Sequence, residues 1–416
     1  ITLTVWNWSQ EQEEFYDRVA EAFKEEYPNV TVDWQTRALP QHTGSLPLAF
    51  QSGEAPDIFF YDGVSTLTHL SELQELDWAQ PLVNMPEDWM SRWPEGSFAE
   101  GVTHIGEDLY SFPLQDSAIW GGGYLFFHKE ILVQAGLDPE NPPATRGEFL
   151  EACAAIVENT DAYCRSNPMQ PANELQRIWI GIAGPAYTSD MFDYQTGRYN
   201  IDDPRHLESF NYIQSLYENE YVLPGVYDKA TARAAMGSGQ AGFYFGGAWM
   251  PSVLNGMGFD NENVGMALSI TPDEGYTGAQ SENPLGTVRT FISSQTEYPE
   301  EASAFIEFIT RPDGYYAQGY VNEGFGTLQF ADMSNMEDPY LSVLAAMATD
   351  PETAQFKVIY PQPILACPEV ATSNAQIAAD QIRPGWEWEE MQLALVEGED
   401  FSDVAAEIAA AKNEAF

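Results

Sequence analysis

The sequence predicts an α/β protein built on a mainly parallel sheet flanked by helices. Strand, helix, strand, helix and strand follow one another through residues 1–60, the order that crossover helices impose on a parallel sheet. The chain has 416 residues, 44% of them apolar, enough for two or three domains with real cores. The stretch SGEAPDIFFYDG, residues 52–63, ends a buried strand on Tyr61, Asp62 and Gly63. In open α/β sheets such carboxyl ends are where ligands bind.

Ile1–Trp8 reads as the first strand. Residues 10–27 follow as an amphipathic helix, with Phe15, Val19, Ala22, Phe23 and Tyr27 on one face and glutamates around the rest. Pro28 stops it. Val30–Trp34 is the second strand. A helix over about 42–52 carries Leu46, Ala49 and Phe50 and closes at Gly53. Ile58–Phe60 is the third strand. Further on, Leu109–Leu114 is a strand running into Gln115 and Asp116, and Gly123–Phe127 is another, followed by a helix at Lys129–Gln134. Helices are predicted over 146–158, 204–219, 299–310 and about 402–414. The third of these starts behind Pro299 and aligns Ala302, Phe305, Ile306 and Ile309. No internal repeat is present.

The formal charge is −47, from 64 acidic and 17 basic residues. Only five of the basic residues are Lys, so no basic patch exists for nucleic acid. A chain this acidic repels itself, and salt removes that cost. The balance predicts adaptation to high salt. Cys153 and Cys164 are close enough in sequence to bridge, leaving Cys367 over. Cys153 also falls on an apolar helical face with Phe149, Leu150 and Val157, where a buried thiol is equally at home. The chain opens on a strand with no signal peptide, as a processed mature protein would. The uncharged stretch Ala234–Phe259 is long enough to span a membrane. Its six or more glycines and Pro251 read instead as helix end, strand and helix start.

GSGQAG, residues 237–242, matches a dinucleotide-binding pattern in form. Its context is reversed, with an Ala-rich helix before it and a strand after it, which excludes that reading. No nucleophile elbow, zinc-protease helix or phosphate loop is present, and the five histidines are scattered. The sequence therefore predicts no catalytic residue, no cofactor and no metal. FGGAWM, residues 245–250, is the sharper signal: a strand ends in Gly246 and Gly247, and Trp249 follows at a helix start. Glycines there let backbone or ligand approach closely. NPLGTVRTFIS places Arg289 inside an apolar strand, where it can donate to ligand hydroxyls or to Asp62.

In their order, these segments resemble the bacterial extracellular solute-binding proteins of ABC importers, the sugar-binding group that includes maltose-binding protein. FQSGEAPDIFFYD is similar to that family's strand signature, LYSFPLQDSAIWGGGYLFFHKEIL to its first crossing, GSGQAGFYFGGAWM to its ligand segment, and PLGTVRTFISSQTEYPEEASAFIEFI to its second crossing. The resemblance implies the two-lobe periplasmic-binding-protein fold, hinged by about three crossings near Phe112–Gln115, Pro284–Phe291 and Gly324–Phe330. The implied lobes are 1–112 with 288–326, and 113–287 with 327–416. It implies a protein that is not an enzyme and captures a neutral mono- or oligosaccharide, closes on it and delivers it to the permease. The alternatives are a binder of polyols or osmolytes, or a secreted glycosidase or lyase. A monomer located in the periplasm or outside the cell, anchored as a lipoprotein before processing, is expected. The family's aromatic contacts carry over to Tyr61, Tyr187 and Trp249, and its polar ones to Asp62 and Asp116. Strand-end geometry adds Trp8 and Trp120, and Gln41, Gly247 and Arg289 complete the expected set. Where maltose binders carry an aromatic cluster this chain reads CPEVATSNAQ, which favours a smaller or different sugar.

Overall fold

The computed structural model describes residues 1–62, 70–93, 97–98, 103–114, 124–170, 175, 192–193, 198–247, 249–268, 270, 272–273, 288–326, 328, 330–332 and 386–415. They fall into two compact units. The first lies within Ile1–Ser117 and Pro284–Leu341, the second within Ala118–Asn283 and Gln376–Phe416.

The chain enters the first unit through β1 (Thr2–Asn7), α1 (Glu13–Glu26), β2 (Thr31–Thr36), α2 (Leu39–Ser52) and β3 (Ile58–Asp62). Phe15, Tyr16, Val19 and Phe23 form the buried stripe of α1, as the periodicity predicts. α2 starts at Leu39 rather than residue 42, because Pro40 sits in the first turn, where its missing N–H removes no helical bond. Gly53 closes it with φ 75°, a conformation that glycine adopts without strain. Then come α3 (Leu70–Glu75), β4 (Ala79–Gln80), β5 (His104–Ile105), β6 (Asp108–Leu109) and β7 (Ser111–Pro113).

The second unit contributes β8 (Tyr124–His128), α4 (Lys129–Gln134), α5 (Arg146–Asn159), β9 (Tyr163–Arg165), β10 (Phe192–Asp193), β11 (Arg198–Tyr199), α6 (Pro204–Glu218), α7 (Lys229–Gly237), β12 (Ala241–Gly246), α8 (Met250–Gly256) and β13 (Val264–Leu268). The chain returns to the first unit with β14 (Val288–Ser293), α9 (Pro299–Ile309) and α10 (Tyr315–Asn322). It ends in the second with α11 (Trp386–Glu397) and α12 (Phe401–Ala415).

The first sheet has the order β2-β1-β3-β14-β4, with β7 also on β14. β1 runs parallel to β2 and β3, while β14 is antiparallel to β3, β4 and β7. The second sheet has the order β13-β8-β12-β9. There β8 is antiparallel to β12 and β13, and β12 is parallel to β9. Each sheet thus has one reversed strand. It is the first described strand on entering (β8) or re-entering (β14) that unit. Among the described residues no crossover helix within the unit leads into it, so nothing there imposes the parallel direction. Pro113, expected at the start of the second lobe, pairs with Arg289 in the first sheet.

In the first unit α1 packs on α10 through Phe15 and Tyr316, 5.5 Å between centroids, and Tyr16 stacks on Trp34 at 4.1 Å. The second core gathers Phe149, Ile156, Phe243 and Met391. Cys153 and Cys164 lie in that core and are disulfide-bonded, with Cα atoms 4.7 Å apart. The bridge ties α5 to β9, and both readings of Cys153 meet: it is buried on the apolar helix face and it is bridged.

Candidate functional site

In the first unit β1, β2, β3 and β7 end on the same edge at which β14 begins, by the parallel and antiparallel registers. Trp8 follows β1 there and is half-buried. Its ring meets His42 at 5.4 Å and Phe60 at 6.4 Å, both edge-on. His42 is 1% exposed, and its Nε2 lies 2.7 Å from the Phe60 carbonyl. A carbonyl only accepts, so Nε2 carries the proton. Burial pushes the His42 pKa down, the Phe60 carbonyl opposes this, and the Arg37 charge adds to it. His42 is therefore a neutral donor at pH 7 that fixes the ring supporting Trp8.

Arg37, just past the end of β2, lies over the Trp6 ring at 3.6 Å and donates from Nη2 to Gln35 Oε1 at 3.0 Å. Asn7, the last residue of β1, is 1% exposed and lies beside the Tyr16 hydroxyl. A buried amide at a strand's carboxyl end suits ligand hydroxyls.

Tyr61 and Arg289 sit opposite one another in register. Both are buried, Arg289 completely. Tyr61 belongs to a cluster with Leu46, Phe50, Phe59 and Phe291, and the Arg289 guanidinium lies 5.5 Å from the Phe291 ring. These two side chains pack beneath the edge, because the strand alternation that brings Phe59 and Phe291 inward brings them inward too. Asp62 ends β3 opposite Val288. Gln41 is exposed in the first turn of α2. Asp116, Trp120 and Tyr187 lie outside the described residues, as does CPEVATSNAQ.

In the second unit β12 ends at Gly246, and Trp249 is the N-cap of α8. α7 precedes the GSGQAG segment and β12 follows it, so the reversed context holds. Gly247 is buried and Trp249 half-buried. A Cβ at Gly247 would collide with the benzo ring of Trp249, and one at Gly246 would come within 2.6 Å of Met250. Gly247 thus lets the indole come against the backbone just past the strand end, and Gly246 leaves room for Met250. That is a preorganised ring, the kind of surface on which a sugar face stacks.

Arg165 ends β9, which runs parallel to β12 and stops opposite Phe243. It is 1% exposed, with its guanidinium 4.6 Å from the Phe245 ring. Asn167 is fully buried two residues on, and its Nδ2 donates to the Tyr217 hydroxyl at 3.0 Å. Sequence reading misses Asn7, Arg37, His42, Arg165 and Asn167. The signal for the arginines is scarcity: 17 basic residues serve the whole chain, yet two sit at strand ends. Among the described residues no group of His, Cys, Asp or Glu could hold a metal ion, and no helix is long and apolar enough to cross a membrane.

Residues 7–316 match the bacterial extracellular solute-binding proteins, and the chain belongs to that family. Among solved structures it is similar to the GacH receptor of Streptomyces glaucescens, solved unliganded and with acarbose. The TM-score is 0.71 at 18% identity, over 100% of this chain and 98% of that one. An ABC transporter solute-binding protein from Thermotoga lettingae, bound to α-D-tagatose, matches with a TM-score of 0.67 at 19% identity, over 100% and 99% of the two chains. The cyclic α-maltosyl-1,6-maltose binding protein of Arthrobacter globiformis matches with a TM-score of 0.68 at 18% identity, over 100% and 98%. The fold is that of the two-lobe periplasmic-binding proteins. No curated protein matches the chain by sequence.

Proposed function

We propose that this solute-binding protein captures a carbohydrate, a mono- or oligosaccharide, outside the cytoplasmic membrane and delivers it to an ABC permease. The observation that carries the reading is a fixed, half-buried indole at the carboxyl edge of each sheet. Trp8 is held by His42 and Phe60, and Trp249 lies on Gly247. Flat apolar rings beside buried amides match the alternation of C–H faces and hydroxyls on a sugar. The solved relatives named above with acarbose and tagatose support the same solute class.

The protein acts by binding and release, as a monomer, with no chemistry on the solute. It works in high salt, where the −47 charge is screened. Calorimetry against mono- and oligosaccharides, with the sugars recovered and analysed afterwards, tests this. Saturable binding with intact sugars is expected. Hydrolysis or elimination products would assign the chain to the glycosidases or lyases instead.

A further inference from the structure

Among the described arginines, Arg165 is buried with no carboxylate beside it. Arg18, Arg92, Arg146 and Arg311 each pair with a glutamate. Arg165 is 1% exposed, and its Nε and Nη1 have no hydrogen-bond partner. Its surroundings are phenols and a phenyl ring: Tyr212, Tyr217, Tyr227 and Tyr244 around it, and Phe245 beneath it. None of those hydroxyl oxygens accepts from Arg165 Nε or Nη1, and three of the hydroxyls donate elsewhere. Tyr212 donates to the Arg146 carbonyl, Tyr217 to Met169 Sδ and Tyr227 to the Leu223 carbonyl. Burial lowers the Arg165 pKa to about 10, which still leaves the guanidinium charged at pH 7. A buried charge with no counter-charge opposes folding. With 64 acidic residues in the chain, a partner carboxylate would have been easy to supply.

The second observation lies two residues along. Asn167 Oδ1 is buried and without a partner, while its Nδ2 is spent on Tyr217. Ser166 is turned the other way and donates to the Ala232 carbonyl. Two orphaned guanidinium donors and one orphaned acceptor therefore sit where β9 ends, opposite Phe243 of β12 and with the guanidinium against the Phe245 ring. The complement of that set is an anionic oxygen group next to a hydroxyl.

We infer that the carbohydrate bound here carries a carboxylate, as a uronic acid does, with Arg165 as its counter-charge and Asn167 accepting from a neighbouring hydroxyl. The inference rests on the carbohydrate reading and narrows it, departing from the neutral sugar that the family resemblance implies. It also gives the buried charge a reason. The long-range field of the chain repels anions, so an acidic solute needs a local cation that solvent does not screen. A guanidinium suits carboxylate because its planar donors match the planar acceptor.

The test uses the full chain in about 1 M NaCl, where the Debye length is about 3 Å and the net charge is screened. Oligogalacturonides are titrated beside their carboxyl-reduced counterparts, which carry CH2OH in place of the carboxylate, and beside phosphorylated and sulfated sugars. The wild type is expected to prefer the uronate by on the order of 100-fold, as a charge-assisted contact predicts. Arg165→Met should erase that preference and keep or raise the melting temperature. Arg165→Lys should restore part of the preference. Preference for the reduced sugar overturns the inference and leaves the carbohydrate reading standing. Binding of no saccharide overturns both. Preference for the phosphorylated or sulfated sugar, lost in Arg165→Met, overturns the carboxylate and keeps the anion site. A preference for uronate that survives in Arg165→Met or Arg165→Gln, with a lowered melting temperature, makes Arg165 a structural residue and overturns the proposal.

Discussion

Replacing Gly247 by Ala tests the Trp249 contact without deleting the ring. A Cβ at Gly247 collides with Cζ3 and Cη2 of the indole. Gly247 does not have a positive φ, so the backbone accepts alanine and the ring must turn away. Trp249 is half-buried, which leaves it room to do so. The strain of added bulk costs about 1–3 kcal/mol, offset by about 0.4–1 kcal/mol from the stiffer unfolded chain. The net cost to the fold is therefore from about 0 to about 2.6 kcal/mol. The loss to binding is of similar size. One indole face covers roughly 80 Å² of sugar, and at about 25 cal/mol per Å² this contributes about 2 kcal/mol, on the order of 30-fold in affinity. Gly247→Ala should lose most of that and Trp249→Ala all of it. The double variant should be no weaker than Trp249→Ala, because the two changes remove the same contact. Calorimetry and melting temperature on the same samples decide. Native affinity in Gly247→Ala would refute the reasoning. Native affinity in Trp249→Ala, with a stability loss of about 3–5 kcal/mol, would place Trp249 in the core.

Four further outcomes are expected. The melting temperature should climb between 0.1 and 1 M NaCl, as the Debye length falls from about 10 to about 3 Å; a flat or falling trend contradicts salt adaptation. Reducing the Cys153–Cys164 bridge, whose cysteines are 11 residues apart, should cost about 3 kcal/mol in denaturant titrations, and an unchanged midpoint would show that it staples nothing. Burial pushes the Glu307 carboxyl up, but hydrogen bonds from Arg311 and Arg92 outweigh it and hold the group below its ordinary value of 4.5. Its contribution is therefore fully present above that value and is lost as pH falls through the lower folded one; Glu307→Gln should flatten this acid limb of the stability profile, and an identical limb would remove Glu307 from it. His42→Ala should weaken solute binding several-fold by freeing Trp8, an effect absent in the Trp8→Ala background if the histidine acts only through that ring.

Local pattern made much of the fold legible. The glutamate-and-phenylalanine periodicity of residues 13–26, Gly53 as a cap and the helix behind Pro299 are all set by neighbours within a turn or two. The reversal of β8 and β14 was not legible, because strand direction depends on which unit the preceding segment came from. The candidate site divides in the same way. Trp8, Gly247 and Trp249 follow from strand ends and paired glycines, which are local. Tyr61 and Arg289 have the right chemistry and the right edge, yet their inward orientation comes from cross-strand packing on Phe291. Arg165 and Asn167 escape a sequence reading because what marks them is a missing partner. That property belongs to the folded surroundings and to no short window of residues.

Calorimetric titration of the full chain in molar salt against matched acidic and neutral saccharides tests the central claim most directly. The account predicts saturable binding of at least one saccharide, accompanied by quenching or a shift of tryptophan fluorescence that Trp249→Ala diminishes. The saccharide should be recovered unchanged. Binding confined to a non-carbohydrate solute, with every sugar inert, would contradict it.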